Sequence, residues 1–213
     1  MLKLWRWIKV GYLQLIEPII VWCVEHRVSP NVITTVGTVS ACLVGVLYAI
    51  GWFSLGGWTL GLLAFFDVVD GAVARRSGRE TVFGSFYDAT LDRIADAFLF
   101  GGFLVFYAVH EVPRQAAMVL IALVALVATQ LTSYTRSRAE LIGVEMQGVG
   151  WLERPERITL LAAPAAFFGR AFDGWVLDAV VALLAVTAVV TVVQRIRHVF
   201  RSTAVAAGGS AWS

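Results

Sequence analysis

Residues 65–93 of the chain read FFDVVDGAVARRSGRETVFGSFYDATLDR. Four aspartates interrupt this largely apolar part of the sequence, namely Asp67, Asp70, Asp88 and Asp92. A carboxylate near the centre of a bilayer costs about 2.5–3.5 kcal/mol even on a lenient insertion scale. Four such groups in one neighbourhood require compensation, and bound divalent cations would supply it.

The composition of the chain indicates a membrane protein. Of its 213 residues, 59% are hydrophobic and 15% are charged, whereas a soluble domain has about 25% charged residues. Several apolar runs approach the roughly 20 residues that a helix needs to cross a bilayer. We therefore expect an all-α integral membrane protein with six transmembrane helices, preceded by an N-terminal amphipathic helix in the membrane interface. Cys23 and Cys42 provide neither a disulfide framework nor metal-ligand spacing.

The N-terminal segment, residues 1–28, is expected to form that interfacial helix. Lys3, Arg6 and Lys9 alternate with leucine, isoleucine and tryptophan, so a basic and an apolar face can separate at helical spacing. Residues 29–31 read SPN, which indicates a turn followed by the start of a helix.

The membrane domain is expected to occupy residues 29–200. The tail, residues 201–213, is small and polar and is expected to be disordered. Hydropathy predicts six spans within the domain. They are expected at residues 31–50, 56–75, 82–109, 113–137, 155–171 and 174–196.

Lysines and arginines are unevenly distributed between the two ends of these spans. They are frequent in the N-terminal segment, between spans two and three, between spans four and five, and at the C-terminal end. The opposite ends carry only Arg114 and Arg170. The positive-inside rule then predicts a multi-pass protein of the cell membrane with both termini in the cytoplasm. The aspartates would lie on the cytoplasmic side, where a water-soluble substrate has access.

The spacing of the aspartates favours a metal site. Asp67 and Asp70 are three residues apart, and Asp88 and Asp92 are four apart, so each pair shares one helix face. Two neighbouring helices joined by a short turn can bring the faces together, where the carboxylates repel unless cations neutralise them. Hard oxygen ligands suit Mg²⁺, Mn²⁺ or Ca²⁺ rather than Zn²⁺. Two such ions would form a clamp for phosphoryl chemistry.

The same segment resembles a known family. From Asp67 to Asp92 it reads D-x2-D-G-x2-A-R-x8-G-x3-D-x3-D, the signature of the CDP-alcohol phosphotransferases, or CDP-alcohol phosphatidyltransferases. All eight fixed positions of the signature match, and they lie in a protein with six expected spans. The resemblance implies an enzyme that displaces CMP from a CDP-linked alcohol, usually CDP-diacylglycerol, with the hydroxyl of a second alcohol.

The resemblance also implies roles for individual residues. Asp67, Asp70 and Asp88 would be ligands of two Mg²⁺ or Mn²⁺ ions, and Asp92 would be a ligand, the general base, or both. The CDP-lipid would bind to a set of residues at the start of the first span and within the signature. This set comprises Pro30, Asn31, Thr34, Gly71, Ala74, Arg75 and Gly84. A homodimer is implied as well.

Arginines on the same side of the membrane indicate an anionic acceptor. Arg136, Arg138, Arg157 and Arg195 exceed what topology requires, and guanidinium groups suit a phosphate dianion. The strings around them, SYTRSRAE, WLERPERI and VVQRIRHV, resemble the prokaryotic phosphatidylinositol phosphate synthases within the family. That resemblance implies that the four arginines bind the phosphate of inositol 1-phosphate.

Other charged residues near these motifs have simpler expected roles. Asp96 adds a further turn to the helix face of Asp92. It is a candidate to support the site residues from behind or to pair with Arg93, and the structural pairing is the favoured expectation. The loop at residues 139–157 is a candidate cover for the acceptor site, and its glutamates are candidates to orient the neighbouring arginines.

Two alternatives remain open from the sequence. Glycerol 3-phosphate could be the acceptor, which would make the product phosphatidylglycerophosphate. The aspartates could instead form the transport site of a divalent-cation transporter, although they lie near one interface and no inverted repeat is visible. The expected partners are CDP-diacylglycerol, inositol 1-phosphate, the lipid bilayer and a second copy of the chain, and no nucleic acid.

Overall fold

The structure, a computed structural model, describes residues 17–78 and 81–206, and of these the side chains of 64–68, 70, 205 and 206 are not described. Helices and turns account for the described residues, without a strand, which confirms the expected all-α fold. Helix α1 covers residues 17–25. The remainder of the expected N-terminal helix, residues 1–16, lies outside the described residues.

Six longer helices follow α1. They are α2 (Pro30–Ala49), α3 (Phe53–Ser77), α4 (Val82–Val109), α5 (Gln115–Leu141), α6 (Arg154–Phe168) and α7 (Trp175–Ala206), with a 3₁₀ turn at Ala171–Gly174 before α7. Each helix coincides with one of the segments in which a span is expected.

The C-terminal end of α7 corrects one boundary. Residues 201–206 are expected in a disordered tail but form the last turns of this helix. Ala204 and Ala206 are strong helix formers, which favours continuation of the helix to this point. The rest of that tail lies outside the described residues.

Local sequence explains where the helices begin and end. Pro30 opens α2 after Ser29, whose backbone is extended (φ −72°, ψ 131°), because the fixed φ of proline suits a first helical position. Gly78 ends α3 in the left-handed conformation at φ 64°. Thr81 caps α4, since its hydroxyl accepts a hydrogen bond from the backbone N–H of Gly84 at 2.9 Å.

Helix α2 is the central element of the packing. It contacts both α3 and α4, while α3 also packs on α6, α4 on α5, and α5 on α7. Over the described residues, α3 and α4 do not form a packed pair although they follow each other in sequence. Among the described residues, the short connection between them therefore does not lead to extensive packing of α3 on α4.

The core is held by aromatic side chains and by close approaches at glycines. Tyr48 and Phe103 are buried in contact, with ring centroids 4.7 Å apart. Nearby, a Cβ on Gly102 would overlap the backbone carbonyl of Gly45, so α2 and α4 meet backbone to backbone. A Cβ on Gly57 would likewise overlap the backbone of α6.

The helices alternate in direction, so the bundle has two distinct ends. One end, here called the site end, holds the beginnings of α2, α4 and α6 and the ends of α3, α5 and α7. At this end the hydroxyls of Thr35 and Tyr87 are 2.8 Å apart. At the opposite end Asp178 accepts hydrogen bonds from Tyr107 and Arg114, each at 2.8 Å.

Three helical stretches among the described residues are long and apolar enough to cross a membrane. They are Pro30–Ala49, Gln115–Leu141 and Ala171–Ala204. Phe53–Leu63 in α3 is a shorter apolar stretch. Helix α4 does not meet the same criterion because its first half carries charged residues, and α6 does not because it is short. The three apolar stretches make the chain a helical membrane protein.

Candidate active site

A cavity at the site end is lined by polar side chains from α2, α4 and α6. Thr34 and Thr38 contribute hydroxyl groups from α2, Asp92 a carboxylate from α4, and Arg154 a guanidinium from α6. Leu63 of α3 is among the apolar residues that close it. The predicted base thus faces a space where four helices converge.

Asp92 belongs to a network of two carboxylates and two guanidinium groups. Arg154 Nη1 lies 2.8 Å from Asp92 Oδ1, and Arg154 Nε lies 3.5 Å from Asp96 Oδ1. Arg93 approaches the other oxygens of the same carboxylates, at 3.9 Å from Asp92 and 3.6 Å from Asp96. The pairing of Asp96 with Arg93 is therefore confirmed. The two charges of each sign compensate one another, which lowers the cost of holding them between helices.

The other predicted metal ligands are described less completely. Asp67 and Asp70 lie on α3, but their side chains lie outside the described set. Asp88 is exposed near the start of α4. Among side chains that the structure describes, no three histidines, cysteines or acidic residues cluster in a way that could hold a metal ion. The convergence of all four aspartates stays a prediction.

The predicted CDP-lipid residues of α2 lie beside the start of α4. Pro30, Asn31 and Thr34 occupy the first turns of α2. A Cβ on Gly84 would lie 3.5 Å from Asn31 Oδ1 and 3.0 Å from the Oγ1 of the capping residue Thr81. Glycine at this position therefore keeps the surface between the two helix starts open.

The remaining predicted CDP-lipid residues follow one another along the end of α3. The Arg75 guanidinium extends back along the helix, so a Cβ on Gly71 would lie 3.3 Å from Arg75 Nη1. Arg75 is exposed and Ala74 is half-buried. A flat ligand could approach the backbone at Gly71 with a guanidinium beside it.

Two of the four predicted acceptor arginines meet at Thr132. Arg157 is buried, with 8% of its surface exposed, and its Nη1 donates to Thr132 Oγ1 at 3.4 Å. Arg195 donates from Nη1 to the Thr132 carbonyl and from Nε to the Val149 carbonyl, the latter at 3.1 Å. Within the described part of the chain, Arg157 Nε has no hydrogen-bond partner. A buried donor in this condition suits an anion.

The other two predicted acceptor arginines lie at the end of α5 and are exposed. Arg136 Nε pairs with Glu140 at 2.9 Å, one helical turn further along. Its charge still acts on Arg195, as does that of Arg157. Arg138 lies in the last turn of α5. The fold thus groups Arg136, Arg157 and Arg195, and leaves Arg138 on the surface of the same end.

The arginines adjoin the aspartate network. A second, small cavity is lined by Asp96, Arg154 and Arg157. The carboxylates of Asp92 and Asp96 also act electrostatically on Arg157. An anion bound at Arg157 would therefore lie close to the predicted base.

Arg154 is a residue of this site that no sequence motif singles out. Glu153 and Glu156, which precede and follow it, form a capping box at the start of α6. In that box the Glu156 side chain accepts a hydrogen bond from the Glu153 backbone N–H at 2.9 Å. The glutamates thus fix the start of α6, and Arg154 pairs with α4. Its position in a loop-to-helix junction gives no sequence signal for that contact.

These features define a helical membrane protein whose site joins carboxylates to a group of arginines. The family model of the CDP-alcohol phosphatidyltransferases matches residues 27–203. The chain belongs to this family, and it is a CDP-alcohol phosphotransferase.

Several relatives are similar over most of their length. A phosphatidylinositol phosphate synthase from Mycobacteroides abscessus is 37% identical over 172 residues, which cover 80% of this chain and 77% of the relative. The crystal structure of Mycobacterium tuberculosis phosphatidylinositol phosphate synthase with CDP-DAG bound has a TM-score of 0.77 and 35% identity, covering 86% of this chain and 92% of that one. The same enzyme in complex with manganese and citrate has a TM-score of 0.78 at 35% identity, with coverage of 86% and 88%.

Proposed function

We propose that this protein transfers the phosphatidyl group of CDP-diacylglycerol to a hydroxyl of inositol 1-phosphate, giving phosphatidylinositol phosphate and CMP. The observation that carries the acceptor assignment is the buried guanidinium of Arg157, whose Nε lacks a partner among the described residues. It lies beside Arg195 and adjoins Asp92 and Asp96. A neutral alcohol would leave this buried positive charge without a counterpart, whereas a phosphate dianion would satisfy it.

Two divalent cations, Mg²⁺ or Mn²⁺, fit the donor set of the proposed site. The candidate ligands are the carboxylates of Asp67, Asp70, Asp88 and Asp92, and hard cations prefer oxygen ligands of this kind. Asp92 faces the cavity between the helices, and Asp88 is accessible to solvent. When bound, such ions polarise phosphoryl oxygens and offset the charge that develops on them.

Asp92 is the proposed general base. Its carboxylate takes the proton of the attacking hydroxyl, and that oxygen bonds to the phosphorus adjacent to the diacylglycerol. The bond from this phosphorus to the bridging oxygen of the diphosphate breaks, and the electron pair leaves with CMP. A base placed in this way contributes roughly 10²–10⁴-fold to a rate.

Binding of the two substrates is assigned to different parts of the site end. The cytidine diphosphate group would bind between the starts of α2 and α4 and the end of α3. The residues proposed for it are Pro30, Asn31, Thr34, Gly71, Ala74, Arg75 and Gly84. The acceptor phosphate would bind to Arg157 and Arg195, with Arg136 and Arg138 at the entrance to that pocket.

The proposed placement in the membrane follows from the charges. Helices α2 to α7 would each cross the cell membrane as one domain at residues 29–200, and residues 1–28 would lie in its interface. Most described arginines are at the site end, whereas Arg114 and Arg170 are at the other. The positive-inside rule assigns the site end and both termini to the cytoplasm. A homodimer is proposed from the family alone.

The experiment that tests this function measures CMP release by purified protein with CDP-diacylglycerol and one acceptor at a time. Release with inositol 1-phosphate, but not with inositol or glycerol 3-phosphate, is the expected result. Release only with glycerol 3-phosphate would contradict the acceptor assignment and make the product phosphatidylglycerophosphate. No release with any acceptor would contradict the reaction and favour cation transport. Chelation with EDTA should stop the reaction, and Mg²⁺ or Mn²⁺ should restore it.

A further inference from the structure

The contact between Arg154 and Asp92 joins α6 to the proposed base on α4. Nη1 and Oδ1 are 2.8 Å apart, and the two side chains are 20% and 21% exposed. This is a charge-assisted contact at hydrogen-bond distance between helices distant in sequence. A carboxylate turns about its own torsion angles, so a fixed cationic donor on one oxygen restricts its orientation.

Two features hold Arg154 in place. Arg154 is the first residue of α6, and its backbone is fixed between the capping-box residue Glu153 and Pro155. Its Nε lies 3.5 Å from Oδ1 of Asp96, a carboxylate that is 4% exposed. A carboxylate buried to this extent requires a cation, because an unpaired one is costly. The Arg154 guanidinium therefore spans Asp96 and Asp92, one helical turn apart.

Arg93 provides a natural comparison, because it approaches the same two carboxylates. It belongs to α4 itself, and its nitrogens stand at 3.9 Å from Asp92 and 3.6 Å from Asp96. Both distances are longer than those of a hydrogen bond. Arg93 therefore contributes charge to both carboxylates. Arg154 likewise contributes charge to Asp96, but its contact with Asp92 is short enough to be directed as well.

We propose that Arg154 is a positioning residue of the reaction: its guanidinium, which also forms an ion pair with the buried Asp96, fixes the orientation of the Asp92 carboxylate. The proposal rests on the proposed function, in which Asp92 accepts the proton of the acceptor hydroxyl. Because misplacement of a reacting group by about 1 Å can cost about 100-fold in rate, loss of this contact should lower kcat by about that factor.

The first test compares Arg154→Gln with Arg93→Gln in the CMP-release assay. Arg154→Gln should lower kcat about 100-fold with little change in the KM of either substrate, and Arg93→Gln should lower it far less. Arg154→Lys keeps the charge and should recover part of the kcat. Equal effects of the glutamine variants at 93 and 154, or a loss in Arg154→Gln that appears only in KM, would overturn the proposal.

Manganese binding separates positioning from a merely structural role. Arg154→Gln removes a positive charge 2.8 Å from a carboxylate oxygen, so Mn²⁺ should bind at least as tightly as to the wild type. A residue that only holds α6 against α4 would, when replaced, loosen the site and weaken Mn²⁺ binding together with kcat. The dissociation constant can be measured from the electron paramagnetic resonance signal of free Mn²⁺. Weaker binding in parallel with lost kcat would overturn the proposal.

Asp96 should act through Arg154. Asp96→Asn should lower kcat, and the double variant with Arg154→Gln should be no slower than Arg154→Gln alone. If the two substitutions lower kcat independently, so that their effects multiply in the double variant, Asp96 does not act through Arg154. The same assays separate the role of Arg154 from the proposed function. If the wild type releases CMP, Asp92→Asn abolishes the release and Arg154→Gln leaves it unchanged, only the role of Arg154 is contradicted. If the wild-type protein is itself inactive, the proposed function is contradicted.

Discussion

The Arg157 guanidinium reaches from α6 to the Thr132 hydroxyl on α5, with 3.4 Å between Nη1 and Oγ1. The carbonyl of the same threonine accepts a hydrogen bond from Arg195 on α7. One buried residue thus holds two arginines from different helices. The proposed acceptor pocket depends on this residue as well as on the arginines.

Replacement of Thr132 by valine should weaken acceptor binding selectively. Valine has a similar shape but lacks the hydroxyl, so Arg157 loses an acceptor while Arg195 keeps the backbone carbonyl. The donor is charged but the contact is long at 3.4 Å, so its contribution should be about 0.5–1.5 kcal/mol, and the KM for inositol 1-phosphate should rise roughly two- to twelvefold. Thr132→Ser retains the hydroxyl and should resemble the wild type. A similar rise in the KM for CDP-diacylglycerol would contradict this role.

Replacement of Arg195 by alanine should have a larger effect on the same parameter. Hydrogen bonds to charged groups contribute about 1.5–3 kcal/mol, so the KM for inositol 1-phosphate should rise roughly 10- to 100-fold. Arg197→Ala is the matched control, because Arg197 is exposed two residues further along α7. Steady-state kinetics with each substrate varied in turn measure both constants. If the two alanine variants behave alike, Arg195 is not part of an acceptor pocket.

The sequence predicts the helices well because strong local signals mark their boundaries. The SPN sequence at residues 29–31 predicts a helix start, and α2 begins at Pro30. Between such signals, apolar runs of membrane length leave little choice other than helix. The family signature identifies the catalytic class for a related reason, since its residues are fixed in both type and spacing.

Contacts between helices are much harder to predict from one sequence. The short connection between α3 and α4 suggests a packed pair, but among the described residues α2 packs on both of them. Gly45 and Gly102 allow the close approach of α2 and α4.

The contact of Arg154 with Asp92 is equally hard to predict, since nothing in the local sequence of Arg154 connects the two residues. The periodic acidic face of α4 extends to Asp96, and a buried carboxylate there requires cationic partners. Arg93 on the same helix is one that the sequence offers, whereas only the packing of α6 against α4 brings Arg154 to the same place.

Replacement of Asp92 by asparagine should nearly abolish turnover without unfolding the protein. Asparagine has nearly the same volume but cannot accept the proton, so kcat should fall by roughly 10²–10⁴-fold. Asp178→Asn is a suitable comparison, because Asp178 pairs with Arg114 at the far end of the bundle. That variant should lower the Tm while folded protein keeps its kcat. Wild-type turnover in Asp92→Asn would exclude Asp92 as the base.

Two adjacent glycines of α4 offer a test of the packing between α2 and α4. A Cβ on Gly102 would overlap the Gly45 carbonyl, whereas a Cβ on Gly101 would meet nothing within 4 Å. Gly102→Ala should therefore destabilise the protein by about 1–3 kcal/mol, as overpacking in a core does. Gly101→Ala should be neutral or slightly stabilising, because alanine is favoured over glycine in a helix by about 0.5–1 kcal/mol. Thermal unfolding in detergent measures both.

The comparison is informative because the two variants share the helix, the depth in the bundle and the chemical change. A difference in Tm between them can then only come from the space that each Cβ enters. Equal Tm values would mean that α2 and α4 are further apart than the structure has them. The cavity that Asp92 lines together with Thr34 and Thr38 would then have to be revised as well, because its width depends on the same spacing of α2 and α4.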